Sequence, residues 1–215
     1  MRLKVIRLLL LLPVLMLLLA ACGEESQIVD SPTSTPKVSA TKPTPQLTES
    51  FDFTITQNID GRDEERPVLV EMPSNFDPEK VYPLLFLFHG NGGAIAGLSA
   101  DSQGDTSAEA ICGGDCIGVI PQGHASSWNL AAKGIDDGLE SNADDVGFVE
   151  AIIKELSEYP QVDSSRVFGV GYSNGAGIVQ ILAAESELFQ GIAAFATNLI
   201  QGREPINKKH KVLIL

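Results

Sequence analysis

Basic residues are scarce in this 215-residue chain: 15 Lys and Arg stand against 28 Asp and Glu, for a formal net charge of -13. Nucleic-acid binding draws much of its affinity from cations set against phosphates, so a chain this acidic has no footprint for it. Cysteine is scarce too. Three cysteines, at 22, 112 and 116, are too few for a disulfide-built miniprotein, and with three histidines they form no array of zinc-finger spacing. No internal repeat is present. Hydrophobic residues still make up 44% and charged ones 20%, enough for a packed core and against wholesale disorder. The length suits one domain, with room for a tail.

The tail comes first. Arg2, Lys4 and Arg7 give a basic start, Leu8 to Leu19 is a nearly unbroken apolar run, and small Ala20 and Ala21 lead to Cys22. That order reads as a signal peptide over 1–21, because the apolar run is short for a span of about 20 residues. Leu19-Ala20-Ala21-Cys22 also resembles a bacterial lipobox, which implies a lipid on Cys22 and an exported protein tethered to a membrane. Removing 1–21 takes away three cations and no acid, so the lipid and not charge would have to hold the chain there.

Residues 22–48 follow without periodicity. From Ser31 to Thr48, 12 of 18 residues are Ser, Thr or Pro. Such a segment buries too little apolar area to offset its ordering entropy, and it reads as a linker.

From 49 to 215 the pattern is that of a folded domain. Phe51, Phe53 and Ile55 alternate with polar residues, Asn58-Ile59-Asp60-Gly61 has turn chemistry, and Val68-Leu69-Val70 follows, which predicts an antiparallel hairpin. Then the runs become continuous: Leu84 to Phe88, Ile117 to Ile120, Val167 to Val170, Gly191 to Ala196 and Val212 to Leu215. Strands apolar on both faces are buried on both faces, as in a parallel sheet covered by helices. Helical stretches lie between them, with Val149, Ile152, Ile153 and Leu156 on one stripe of 145–156 and a second stretch over 174–184. Alternating strands and helices predict a doubly wound α/β sheet.

Gly171-Tyr172-Ser173-Asn174-Gly175 sits between one of those strands and one of those helices. The pentapeptide alone is a weak signal, but a G-x-S-x-G at a strand–turn–helix junction has the setting of a nucleophile elbow. Ser173 would stand at the C-terminal edge of the sheet, where the helix N-terminus favours developing negative charge. His89-Gly90-Asn91-Gly92-Gly93 follows an earlier strand, and its backbone N–H groups at Asn91 and Gly92 would face an oxyanion together with that of Asn174. Trp128 and Tyr172 are candidate pocket residues. Cys112 and Cys116, an even pair in an exported chain, favour a disulfide, whose small loop would contribute about 2 kcal/mol.

The blocks PLLFLFHGNGG (83–93), VIPQG (119–123), DDVGF (144–148) and RVFGVGYSNG (166–175), in that order, resemble the α/β-hydrolase family of poly(3-hydroxybutyrate) depolymerases and feruloyl or acetylxylan esterases. The resemblance spans about residues 60–215. It implies a serine esterase with Ser173 as nucleophile, His89 as the oxyanion-loop histidine, an ester of a polyester or a plant cell wall as substrate, and no metal or organic cofactor. It also implies a triad in the order Ser, acid, His, with the acid after the strand at Lys211 to Leu215. The chain departs from the family there, since neither residue is found, and the fold is expected to be incomplete at its C-terminus and the chain itself nearly inactive. His210 falls at the wrong sheet edge, His124 precedes Ser173 against the family order, and Asp144 and Asp145 read as helix-capping carboxylates. Two other readings stay open: a non-catalytic surface lipoprotein that binds polymer or glycan, and a peptidase on the same fold.

Overall fold

The N-terminal hairpin is where sequence pattern and geometry meet most simply. β1 (Phe51–Ile59) and β2 (Arg62–Glu71) pair antiparallel from Phe51–Val70 down to Ile59–Arg62. Asp60 and Gly61 close the hairpin with φ of 52° and 78°, the left-handed pair that a two-residue turn needs to match the twist of its strands. These features come from a computed structural model, which describes residues 45–99, 106–131 and 141–197 and the backbone of 211–214. The signal peptide, Cys22, most of the linker and His210 lie outside the described residues.

Beyond the hairpin the sheet is parallel. β3 (Tyr82–Phe88), β4 (Ile117–Pro121), β5 (Val162–Tyr172), β6 (Phe189–Phe195) and β7 (Lys211–Ile214) extend it, among the described residues, to seven strands in the order β1-β2-β4-β3-β5-β6-β7. β2 meets β4 antiparallel, and every later pairing is parallel. β5 is longer than its apolar run, because Val162 and Asp163 also pair, with Tyr82 and Pro83. β3 and β4, in the middle of this order, are buried almost throughout, as their unbroken apolar runs require.

Helices α2 (Asp145–Leu156) and α3 (Asn174–Glu185) pack with the larger core. α2 buries Phe148, Val149, Ile152, Ile153 and Leu156 on one stripe. α3 is buried from Asn174 to Ala184, all round, which suits a helix held between the sheet and α2. A smaller cluster of Leu85, Leu87, Ala108, Cys116 and Ile120 includes the first residue of a short helix, α1 (Ala108–Cys112). α1 ends at Gly113, φ 62°, and its last residue is joined to Cys116 by a disulfide with Cα atoms 6.0 Å apart.

One boundary shifts. Leu47, assigned to the linker, is buried in the core, and its N–H donates to Gln161 Oε1 at 3.3 Å. A lone apolar residue among Ser, Thr and Pro gives no periodic signal, so only tertiary packing reveals it.

Candidate active site

The parallel strands deliver their C-terminal ends to one rim. There β5 turns into α3 at Ser173, which has φ 55° and ψ -117°, a backbone conformation that L-residues seldom adopt. Both flanking glycines are required by space. A Cβ on Gly171 would overlap the carbonyl of Gly175, and a Cβ on Gly175 would overlap the carbonyl oxygens of Phe88 and His89. The elbow is thus pressed against the end of β3. Ser173 is exposed and its side chain caps nothing, while its N–H is held by the Phe195 carbonyl at 2.9 Å.

The glycine-rich loop runs past this serine. A Cβ on Gly90 would sit 3.6 Å from Ser173 Cβ and 3.5 Å from Tyr172. The Gly90 carbonyl accepts from Gly93 N–H at 3.0 Å and lies 2.8 Å from His89 Nδ1. A trans peptide points its N–H opposite to its carbonyl. The Asn91 N–H is therefore turned away from those bonds, and among the described residues it has no partner.

His89 is buried, and its bonds fix its tautomer. Gly123 N–H can only donate, and it donates to Nε2 at 3.0 Å, so the ring proton sits on Nδ1 and is given to the Gly90 carbonyl. Burial, reinforced by the charge of Arg66, pushes this imidazole below the usual histidine range, against the pull of the Gly90 carbonyl. With both nitrogens committed, His89 shapes the loop and cannot also act as a base.

Asn174 reaches the same assembly from α3. Its Oδ1 accepts from Trp128 N–H at 2.7 Å and its Nδ2 donates to the Trp128 carbonyl at 3.0 Å. Its own backbone N–H, the first of the helix, has no partner among the described residues and lies next to Ser173. Gln122 completes the links: Oε1 accepts from Ile95 N–H at 3.1 Å, and Nε2 donates to the Gly93 carbonyl at 3.3 Å.

Three expectations need correction. Gly92 cannot offer its N–H to an oxyanion, because that N–H is donated to the Ser126 carbonyl at 2.8 Å. Trp128 does not line a pocket. It is fully buried, stacked edge-on against Phe88 at 5.1 Å, and its Nε1–H donates to the His89 carbonyl at 2.9 Å, which makes it the floor of the loop. Asp144 caps α2 by accepting from Gly147 N–H at 2.9 Å, but Asp145 does not cap. Its carboxylate is buried against Arg66, Oδ1 to Nη2 at 2.6 Å. Tyr172, by contrast, is exposed beside Ser173, where a substrate could touch it. His124 opens a short turn in the loop after β4, and its Nδ1 is buried with no partner among the described residues.

Arg66 is the residue that sequence reading missed. It looks like surface in the run Arg62-Asp63-Glu64-Glu65-Arg66, yet it shares the parity of Val68 and Val70, both fully buried. Period-two alternation was the available signal. Its guanidinium lies 3.6 Å from the Phe148 ring centroid and donates to Gln57 Oε1 and the Gln122 carbonyl as well as to Asp145. Burial lowers the Arg66 pKa and raises that of Asp145, and each ion partly offsets the cost of burying the other.

A mixed sheet of this order, with an antiparallel N-terminal hairpin and a strained serine between a parallel strand and a buried helix, is the α/β-hydrolase fold. A solved thermostable esterase superposes with a TM-score of 0.52 over 71% of this chain and 42% of its own, at 20% identity, a likeness of fold alone. No protein-family model matches the chain. Among curated proteins it is similar to feruloyl esterase C of Emericella nidulans, 29% identical over 140 residues, covering 64% of this chain and 48% of that protein. It is likewise similar to feruloyl esterase D of Neurospora crassa, 29% identical over 144 residues, covering 60% of this chain and 43% of that protein. The chain spans about half the length of the curated relatives it matches first.

Proposed function

We propose that the protein is an exported serine carboxylic ester hydrolase of the feruloyl esterase type. The observation that carries this reading is Ser173 in a strained turn beside the backbone N–H groups of Asn91 and Asn174, neither of which has a partner among the described residues. Ser173 Oγ attacks the ester carbonyl, the carbonyl oxygen gains charge between those two donors, and the alcohol departs to leave an acyl-enzyme that water hydrolyses. Each such donor is worth about 10²–10³ in rate. The reaction also needs a base for the serine proton. The committed nitrogens of His89 exclude it, and the family resemblance puts the base in the order Ser, acid, His with the acid after β7, a place that His210 does not fit. The names of the curated relatives favour an aromatic acyl group, and exposed Tyr172 suits such a ring.

A fluorophosphonate reagent tests the nucleophile directly. An adduct mapped to Ser173 and lost in Ser173→Ala is the expected result; an adduct elsewhere, or none, would refute the serine mechanism and favour a binding protein. Turnover of methyl ferulate against p-nitrophenyl acetate then tests the acyl group, with preference for the ferulate expected. Export and tethering rest on Cys22, and Cys22→Ser should release the protein from membranes or block its maturation. Equal membrane retention of both forms with the leader attached would sink the anchor.

A further inference from the structure

The segment from Gln122 to Asn129 touches every part of the rim described above. Gly123 N–H holds His89 Nε2, the Ser126 carbonyl holds Gly92 N–H, Trp128 Nε1–H holds the His89 carbonyl, and the Trp128 backbone is gripped by the Asn174 side chain. It is a strap laid across the glycine-rich loop and the start of α3. Ala125 and Ser126 both have positive φ, 50° and 57°, without being glycine, so the strap does not hold this shape by local preference. Something must pin it.

Both of its ends are bonded to one buried ion pair. Arg66 Nη2 donates to the Gln122 carbonyl at 3.2 Å, and Asp145 Oδ2 accepts from Asn129 N–H at 2.7 Å, while Arg66 and Asp145 bond each other. The two side chains are 3% and 1% exposed, so the pair is desolvated as fully as any core residue. Stability is a poor account of such a pair. Burying two charges costs about what their attraction returns, apolar replacements are often neutral or better, and Arg66 Nε has no partner among the described residues.

We propose that Arg66 and Asp145 are positioning residues: by clamping the two ends of the 122–129 strap they set the Asn91 and Asn174 amides at the spacing an oxyanion requires. This rests on the esterase reading for its consequence in catalysis, but not for the clamp itself. The chain of contacts is short. Arg66 fixes Gln122, whose side chain and the next N–H fix Gly93, Ile95 and His89; Asp145 fixes Asn129, next to the Trp128 that Asn174 grips.

The test is the double variant Arg66→Met, Asp145→Leu, which removes both charges and keeps apolar volume. Trp128 is the single tryptophan of the chain, so acrylamide quenching of its fluorescence reports the strap without any need for turnover. The expected result is a variant that melts near the wild type but whose Trp128 becomes accessible to quencher. With it, Ser173 phosphonylation should slow by about tenfold or more, and kcat for an aryl ester should fall with KM nearly unchanged, as misplacement of reacting groups does. A stable double variant with wild-type Trp128 shielding and wild-type reaction rate overturns the proposal. If the double variant does not fold, Asp145→Asn decides: it keeps the side-chain volume, but an amide offers one acceptor oxygen in place of the two that now take Arg66 Nη2–H and Asn129 N–H. Slowed phosphonylation at a near-native Tm supports the clamp, and an unchanged rate overturns it. Should the wild type itself resist phosphonylation, the esterase reading fails, and the Trp128 measurement alone decides on the clamp.

Discussion

Two turns in this protein need glycine for different reasons. At the hairpin tip Gly61 has φ 78° and nothing within 4 Å of where a Cβ would be, so glycine is there for conformation alone. At the serine elbow neither Gly171 nor Gly175 has positive φ; both lack room, because backbone crowds them from the other side. The strained φ falls instead on Ser173 between them. An open turn can relax around a wrong residue, whereas a turn jammed against another strand cannot. Strain at the elbow is held in place by packing on both sides.

The largest effect is accordingly expected at the elbow. Gly171→Ala drives a methyl group into the Gly175 carbonyl, which belongs to a buried helix and cannot step aside. A loss of roughly 3 kcal/mol or more, or failure to fold, should follow from overpacking against fixed backbone. Urea unfolding measures it. A loss under about 1 kcal/mol would mean that the elbow can relax as the hairpin does, and the contrast would break.

Acid should separate the same two regions. His89 is held neutral, with its pKa below the unfolded value of 6.5 chiefly by burial. The unfolded state therefore takes up a proton first as pH falls, so stability is full above about 6.5 and declines below it. The rim should loosen before the hairpin, which has no histidine. Hydrogen exchange at pH 7.5 and 5.5 checks this: amides of Gly123 and Gly93 should lose protection with acid while those of β1 and β2 keep theirs relative to them. His89→Gln should remove this part of the acid dependence. Equal loss in both regions would show that His89 is not the titrating group.

The contrast between the regions also governs what could be read in advance. The hairpin, the continuous strands, the stripe on α2 and the G-x-S-x-G junction are local patterns, and the fold follows them with only small changes in strand ends. The site was half legible. Ser173, Asn174 and the loop at 89–93 carry short-range signatures, but which N–H of that loop is free depends on Ser126, 34 positions from Gly92 in the chain. Trp128 reads as a pocket residue and Asp145 as a helix-capping carboxylate; their burial is fixed by Phe88 on β3 and Arg66 on β2. Residues whose partners are distant in sequence leave little trace in local pattern.

A milder effect belongs to the hairpin tip. Gly61→Ala places an L side chain at positive φ in open space, and the cost is that of the left-handed conformation, about 1–2 kcal/mol. Gly61→Asn should cost less, since asparagine tolerates that region and supports this turn. The ranking Gly, Asn, Ala in Tm is the test, and an Ala variant as damaging as Gly171→Ala would erase the distinction between conformation and space.

The smallest effect should be a gain. Gly97 lies at the end of the short turn Ile95–Gly97, exposed, with no positive φ and nothing within 4 Å of a Cβ. Neither reason for glycine applies there. Its N–H donates to the Ala94 carbonyl at 3.0 Å, and alanine keeps that bond. Gly97→Ala then acts mainly on the unfolded chain, which loses freedom, and should stabilise the protein by about 0.4–1 kcal/mol. For a domain of this size that is a rise in Tm of about 1–4 °C. Because Gly97 follows Ile95, whose N–H is held by Gln122, a stiffer turn should leave phosphonylation of Ser173 unchanged or slightly faster. A fall in Tm would show that this glycine has a constraint of its own, and that free space and ordinary φ are not together sufficient to make a glycine replaceable.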